Sequence, residues 1–103
     1  MSEPEYVLEL SEEAYDDLIN IQNYTYINHG ETKWQNYSHD LDKAMSHILN
    51  NPFSGHVRDD VPSGYQAWGV NEHVMIYRVE NKTVYLVRVL HGKMDFRFQF
   101  STG

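Results

Sequence analysis

The chain of 103 residues has no cysteine, only three prolines, and eight basic residues against fifteen acidic ones. Without cysteine there is no disulfide framework, no thiolate nucleophile and no cysteine-based zinc site, a usage that fits a reducing cytoplasm. No run approaches the ~20 apolar residues of a membrane-spanning helix, and residues 1–5 lack the pattern of a secretory signal. We therefore expect a cytoplasmic protein.

The shortage of basic residues limits the partners that the chain can have. A formal charge of −7 argues against a broad nucleic-acid-binding surface, because phosphate neutralisation needs clustered lysine and arginine. Residues 1–51 carry ten acids and two lysines, whereas residues 52–103 carry six bases and five acids. The first half therefore predicts an acidic, solvated face, and the basic side chains belong to the second half.

The first half of the chain predicts a strand and two helices. Residues 6–10 are typical of a short strand, and Ser11 then offers an N-cap hydroxyl before two glutamates. Apolar residues at helical spacing predict a helix over 12–28, and Gly30 is a suitable stop. A second helix follows, ended by Pro52, and its apolar face comprises Trp34, Tyr37, Leu41, Ala44, Met45 and Ile48. With so short a connection, the two helices should form an antiparallel hairpin.

The second half predicts strands over 65–70, 74–79 and 83–90. The last is apolar on both faces, with Arg88 sharing a face with Leu86 and Leu90, which indicates a central strand. Alternating phenylalanines at 96, 98 and 100 predict an extended tail. The order is β-α-α-β-β-β, and we expect one α+β domain over 1–103 with the hairpin packed on a small, mainly antiparallel sheet.

Most clusters of reactive side chains in the sequence have a structural explanation. The six histidines lack metal-binding spacing, so we expect no metal ion and no cofactor. The acidic pairs at 12–13 and 16–17 diverge on a helix and are interpreted as solvated surface. Asp59 and Asp60 lie beside Arg58 in a loop, where a turn with local ion pairing is expected.

One basic cluster follows the strongest strand and comprises Arg88, His91, Lys93, Asp95 and Arg97. A histidine between cations could act as acid or base on a phosphodiester while the cations hold the phosphate. The structural alternative is a packed histidine and a buried arginine–aspartate pair that holds the tail. Residue types alone favour the structural alternative.

Three segments resemble the RelE/ParE superfamily of bacterial toxins. They are the PFSGHVR loop that contains Arg58, the IYRV strand that contains Arg78, and the RVLHGKMD run from Arg88 to Asp95. With the opening YVLELSEEAY the resemblance extends from residue 6 to about residue 100, and it is nearer to the ParE branch. It implies a small α+β toxin of a type II toxin–antitoxin system, encoded beside an antitoxin that wraps and neutralises it.

The resemblance also implies a target. ParE-like members poison DNA gyrase and are associated with plasmid stabilisation, whereas RelE-like members cut mRNA in the ribosome. The second helix here has only Lys33 and Lys43, and the turn at 69–71 has no base where a catalytic arginine is expected. We therefore expect a gyrase inhibitor that is not an enzyme, with target-binding candidates in the family segments: Arg58, Arg78, Lys93 and Asp95.

The implied partner is a ParD-like antitoxin, encoded by a neighbouring frame as a short acidic protein with a DNA-binding amino terminus. An amphipathic helix of that partner should enter an apolar groove, for which the candidates are Leu18, Tyr24, Trp34 and Tyr37. Two alternatives stay open. The first is a ribosome-dependent endoribonuclease that uses His91 with Arg88 or Arg97, or the other late histidines His56 and His73. The second is a relative that binds an antitoxin without being toxic.

Overall fold

The computed structural model describes residues 5–100, which fold into a long helical hairpin and a four-stranded sheet. The elements are β1 (Val7–Leu10), α1 (Glu12–Asn50), β2 (Gln66–Val70), β3 (His73–Glu80), β4 (Thr83–His91) and α2 (Phe96–Gln99). This arrangement confirms the predicted α+β class. Between residues 5 and 100, no helix is both long and apolar enough to cross a membrane.

Helix α1 consists of two arms that meet at Gly30. A straight helix of its 39 residues would measure about 58 Å at 1.5 Å per residue, which exceeds the longest dimension of the fold, 43 Å. Gly30 breaks the helix with φ 90° and ψ 173°, a conformation that is essentially restricted to glycine. The predicted stop is confirmed at this residue, but the second arm resumes at once, before Trp34.

The ends of α1 have the caps that the sequence predicts. The Ser11 hydroxyl accepts a hydrogen bond from the Ala14 N–H at 2.9 Å, and it donates to the Val87 carbonyl of β4 at 2.7 Å. One side chain therefore begins the helix and attaches it to the sheet. At the other end the Asn51 N–H bonds to the carbonyls of His47 and Ile48 before Pro52 excludes further helix.

The strand order is β1-β4-β3-β2, which makes β4 an internal strand as predicted. Strand β1 lies parallel to β4, with Val7 opposite Thr83, and the other neighbouring pairs are antiparallel. Helix α1 covers one face of this sheet. The other face is covered by the segment around Val61 and by α2, which bury Ile76, Leu90 and Phe96.

A bulge in β4 overturns the predicted faces of that strand. Ile76 pairs with Arg88 but Tyr77 pairs with Leu86, which leaves Val87 as an extra residue. As a result Leu86 packs in the core under α1, whereas Arg88 lies on the opposite face with its partner Ile76. The prediction that Arg88 shares a face with Leu86 is wrong because strict alternation ends at the bulge.

The tail also differs from its prediction, because residues 96–99 form one helical turn instead of an extended segment. The Asp95 carboxylate caps this turn by accepting from the Arg97 N–H at 3.2 Å. A helical step of four residues places Phe96 and Phe100 against the same side of the sheet, while Phe98 is 75% exposed. The three phenylalanines therefore do not share one face, because Phe98 points away from the sheet that Phe96 and Phe100 contact.

Candidate functional site

A groove of about 1020 Å³ opens between the two arms of α1, the β2–β3 turn and the end of β4. Ile21 and Thr25 from the first arm and Val89 from β4 are buried at its floor. Tyr24 is exposed at one wall, and Tyr37 is half-buried at the other. The groove therefore combines a largely apolar floor with polar walls, which suits an amphipathic protein segment.

An ion pair fixes the first arm of α1 against β4 at one end of the groove. The Asp17 carboxylate accepts from Nε of Arg88 at 2.8 Å, from Nη2 at 3.0 Å and from the Val89 N–H at 2.9 Å. The two side chains are only 14% and 19% exposed. The interpretation of Asp17 as solvated surface is therefore wrong, because beyond the end of β1 the first arm covers the free edge of β4.

The same ion pair gives Arg88 a structural role. Its guanidinium also donates to Oε1 of Gln99 in the tail at 3.3 Å. The structural alternative predicted a buried arginine–aspartate pair, and a partly buried pair is present. Its aspartate belongs to helix α1 and not to the tail. The carboxylate of Asp95, nearer in sequence, binds Arg97 instead.

Tyr37 connects the second arm of α1 to the start of β3. Its hydroxyl bonds to Nδ1 of His73 and lies 3.3 Å from the Val70 carbonyl oxygen. When the hydroxyl donates to that carbonyl, the Nδ1–H of His73 is the donor to the hydroxyl oxygen. Burial, followed by the charges of Glu72 and Asp40, raises the pKa of Tyr37 to about 12. The phenol therefore stays neutral at physiological pH.

Two histidines lie side by side in the groove, because His73 pairs with His91 across β3 and β4. Their ring centroids are 5.3 Å apart. Burial and the neighbouring ring of His91 lower the pKa of His73. Nδ1 of His91 accepts from the Lys93 N–H at 3.2 Å, so Nε2 carries the proton of the neutral ring and faces the Glu72 carboxylate at 3.6 Å.

A second hollow, of about 670 Å³, lies beside the tail on the other face of the sheet. Arg58 donates to both carboxylate oxygens of Asp60 at 2.8 and 2.7 Å, and its guanidinium carbon lies 4.2 Å from the centre of the Phe96 ring. Arg97 makes a similar pair with Asp95. The loop prediction of local ion pairing at Arg58 is confirmed, and each pair joins residues two positions apart.

The structure separates the residues that the sequence grouped. Tyr24 and Tyr37 line the groove with His91, whereas Leu18 and Trp34 pack against the core under α1. Arg58, Asp95 and Arg97 line the hollow.

Arg78 lies in neither the groove nor the hollow, since it is paired with Glu80 and stacked on Tyr85. Lys93 is exposed after β4. His56 stacks with Trp68, which also stacks with His47 near the end of α1, apart from His73.

Sequence reasoning missed Asp17, Glu72 and the contact of Tyr37 with His73. The available signal was strand register, since a β3–β4 hairpin with its turn at Asn81 places His73 close to His91. The helix contacts had no such signal because they join residues more than thirty positions apart. Over the described range 5–100, no three histidine, aspartate or glutamate side chains converge to hold a metal ion.

The sequence matches a family of known proteins over most of its length. The model for the ParE toxin of type II toxin-antitoxin system, parDE, matches residues 8–96. Toxin ParE1 of Mycobacterium tuberculosis is 33% identical over 87 residues, which are 84% of this chain and 89% of the relative. The match therefore includes the hairpin, the sheet and the start of the tail.

Solved structures share the fold at lower identity. The chromosomal ParDE TA system from P. aeruginosa contains a chain with a TM-score of 0.73 and 16% identity, covering 86% of this chain and 98% of that one. The E. coli DinJ-YafQ toxin-antitoxin complex gives a TM-score of 0.58 and 17% identity, covering 84% and 92%. Together with the family match, this structural likeness shows that the groove and the hollow belong to the fold of a toxin that has an antitoxin partner. The chain is a member of the ParE toxin family of type II toxin–antitoxin systems.

Proposed function

We propose that the protein inhibits DNA gyrase by binding it as a protein partner, and that a ParD-like antitoxin seated in the groove neutralises it. The observation that carries the proposal is the charge of the groove. Asp17, Asp40 and Glu72 line it, and among the described residues Lys33 is its one lysine or arginine. A surface of this sign repels the phosphates of an RNA substrate and leaves protein binding unimpaired.

The basic side chains nearby support the same proposal because they are already engaged. Arg88 is bound to Asp17 and Gln99, and Arg97 is bound to Asp95. Recruiting either for phosphate would require breaking charge-assisted hydrogen bonds within the fold. A protein target demands no such rearrangement.

The hollow offers a target surface that lies beside the groove. Arg58 and Asp95 line the hollow, while Met94 lines both the hollow and the groove and is 41% exposed. Lys93 is exposed beside this shared residue. A partner seated in the groove would reach the rim of the hollow, and this proximity gives a steric route from antitoxin binding to neutralisation.

A supercoiling assay with purified protein and gyrase tests the proposal. The wild-type chain should reduce supercoiling or trap cleaved DNA, and Lys93→Glu should weaken this effect. Lys43→Glu is the matched control, since it makes the same charge change at an exposed position on α1. No inhibition at a large excess of the wild-type chain would overturn the gyrase proposal. Expression without growth arrest, alongside tight antitoxin binding, would favour the non-toxic relative.

A second candidate function is ribosome-dependent mRNA cleavage, and the observation that favours it is the pair of histidine rings 5.3 Å apart in the groove. One neutral and one protonated ring could act as base and acid on a phosphodiester. This function predicts that His91→Ala abolishes toxicity and that expression of the wild type produces codon-positioned cuts in mRNA. His39→Ala, at an exposed position on α1, is its control.

A further inference from the structure

The acidic side chains of the groove differ in how far their charge is compensated. Asp17 is neutralised by Arg88. Among the residues that the structure describes, the side-chain partner of the Asp40 carboxylate is the uncharged amide of Asn71, at 2.9 Å. The Glu72 side chain is 80% exposed, and its carboxylate lies 3.6 Å from Nε2 of His91 and not beside a lysine or arginine among the described residues. Asp40 and Glu72 therefore keep their negative charge on the side of the groove that holds Tyr37 and His73.

The two arms of α1, which flank the groove, carry further negative charge. Helix α1, which supplies both arms, carries seven acids and two lysines. Of these acids, five are exposed: Glu12, Glu13, Asp16, Glu31 and Asp42. A partner that approaches the hairpin meets this negative field before it reaches the apolar floor.

We propose that the antitoxin segment that fills this groove is basic, with an apolar stripe on Ile21, Thr25 and Val89 and with lysine or arginine side chains beside Asp40 and Glu72. The inference rests on the proposed function, and it names the chemistry of the partner at the same site. The antitoxin as a whole is expected to be acidic, and only the segment that contacts the toxin is proposed to be basic. Complementary charge accelerates association and opposes wrong partners.

Other occupants of the groove are disfavoured by the same charges. A second copy of the chain would place one acidic hairpin against another, and like charges in contact destabilise a complex. A nucleic-acid strand would bring phosphates toward Asp40 and Glu72 with only Lys33 to oppose the repulsion. A basic, amphipathic protein segment satisfies both the floor and the walls.

The test uses the full chain and the purified product of the reading frame beside its gene, with binding followed by surface plasmon resonance. The association rate should fall about tenfold or more as salt rises from roughly 50 to 500 mM. Glu72→Lys should weaken binding by about tenfold, and Asp40→Asn should weaken it less. The matched control is Glu9→Lys, which makes the same charge change at an exposed position on β1 and should leave binding within about twofold.

The outcomes separate this inference from the proposed function. Tight binding that is insensitive to salt and to Glu72→Lys, or that Glu72→Lys strengthens, would overturn the basic segment and leave the antitoxin proposal intact. Self-association of the chain alone that Glu72→Lys strengthens would also overturn it, in favour of a second copy. Absence of any binding by the wild-type chain would contradict the antitoxin proposal itself and the inference with it.

Discussion

The two faces of the sheet hold their polar side chains in different ways. On the groove side, Tyr37 binds His73, and Asp17, which lines the groove, binds Arg88, which lies on the opposite face of β4; these contacts span 36 and 71 residues. On the tail side, Arg58 binds Asp60 and Arg97 binds Asp95, each two residues away. The contacts of the groove therefore form only when distant parts of the chain come together, whereas the ion pairs of the hollow join near neighbours in the sequence. Loss of a groove contact should disturb the fold more than loss of a tail contact.

The largest expected effect is at the ion pair of the groove. Arg88→Ala leaves the Asp17 carboxylate, only 14% exposed, without its cation. The free energy of unfolding, measured by urea denaturation, should fall by about 3 kcal/mol. On the tail side Arg97→Ala removes an exposed pair and should cost at most about 1 kcal/mol. Equal losses in the two variants would remove the distinction between the faces.

The hinge of the hairpin gives the next largest effect. Gly30→Ala forces alanine into a conformation restricted to glycine, and the free energy of unfolding should fall by about 1–3 kcal/mol. Gly69→Ala is the matched control in β2, because an added Cβ meets nothing within 4 Å at either glycine and only Gly30 has a positive φ. The control should change stability by less than about 1 kcal/mol. Similar thermal melts for the wild type and Gly30→Ala would show that the groove wall does not depend on this residue.

The smallest expected effect is a difference between the two faces in how their contribution to stability depends on pH. The lowered pKa of His73 means that the unfolded chain takes up a proton before the folded one, so stability should decline as the pH falls below about 6.5. Arginine partners lower the pKa values of Asp60 and Asp95, and the stability they contribute should persist until the pH falls below about 4. In a plot of the free energy of unfolding against pH, His73→Asn should remove the decline that begins below about pH 6.5 and leave the decline below about pH 4 unchanged. A profile unaffected by this change would place the titrating group elsewhere.

The helices and strands could be predicted because their signals are local. Apolar spacing identified both arms of the hairpin, Ser11 and Gly30 marked a cap and a break, and the apolar run at 83–90 identified the internal strand. The tail could not be predicted in the same way. Alternating phenylalanines fit a strand, but the Asp95 cap and the burial of Phe96 on the sheet select a helical turn.

The candidate site was predictable only where it depends on neighbours in sequence. Arg58 and Asp60 were expected to pair, and Tyr24, Tyr37 and His91 lie in the groove. The partner of Arg88 could not be predicted, because the bulge at Val87 changes which face each later residue occupies. No pattern in the sequence indicates a bulge of this kind, and the role of Asp17 depends on it.

We propose that the neutralising partner sits in the groove and not in the hollow. Hydrogen exchange of the full chain, with and without the purified product of the neighbouring reading frame, distinguishes these two positions. The partner should slow exchange at residues 29–33 and 71–73, on the rim of the groove, while residues 58–60 in the hollow keep the rates of the free chain. Slower exchange at 58–60 with unchanged rates at 29–33 and 71–73 would contradict the account.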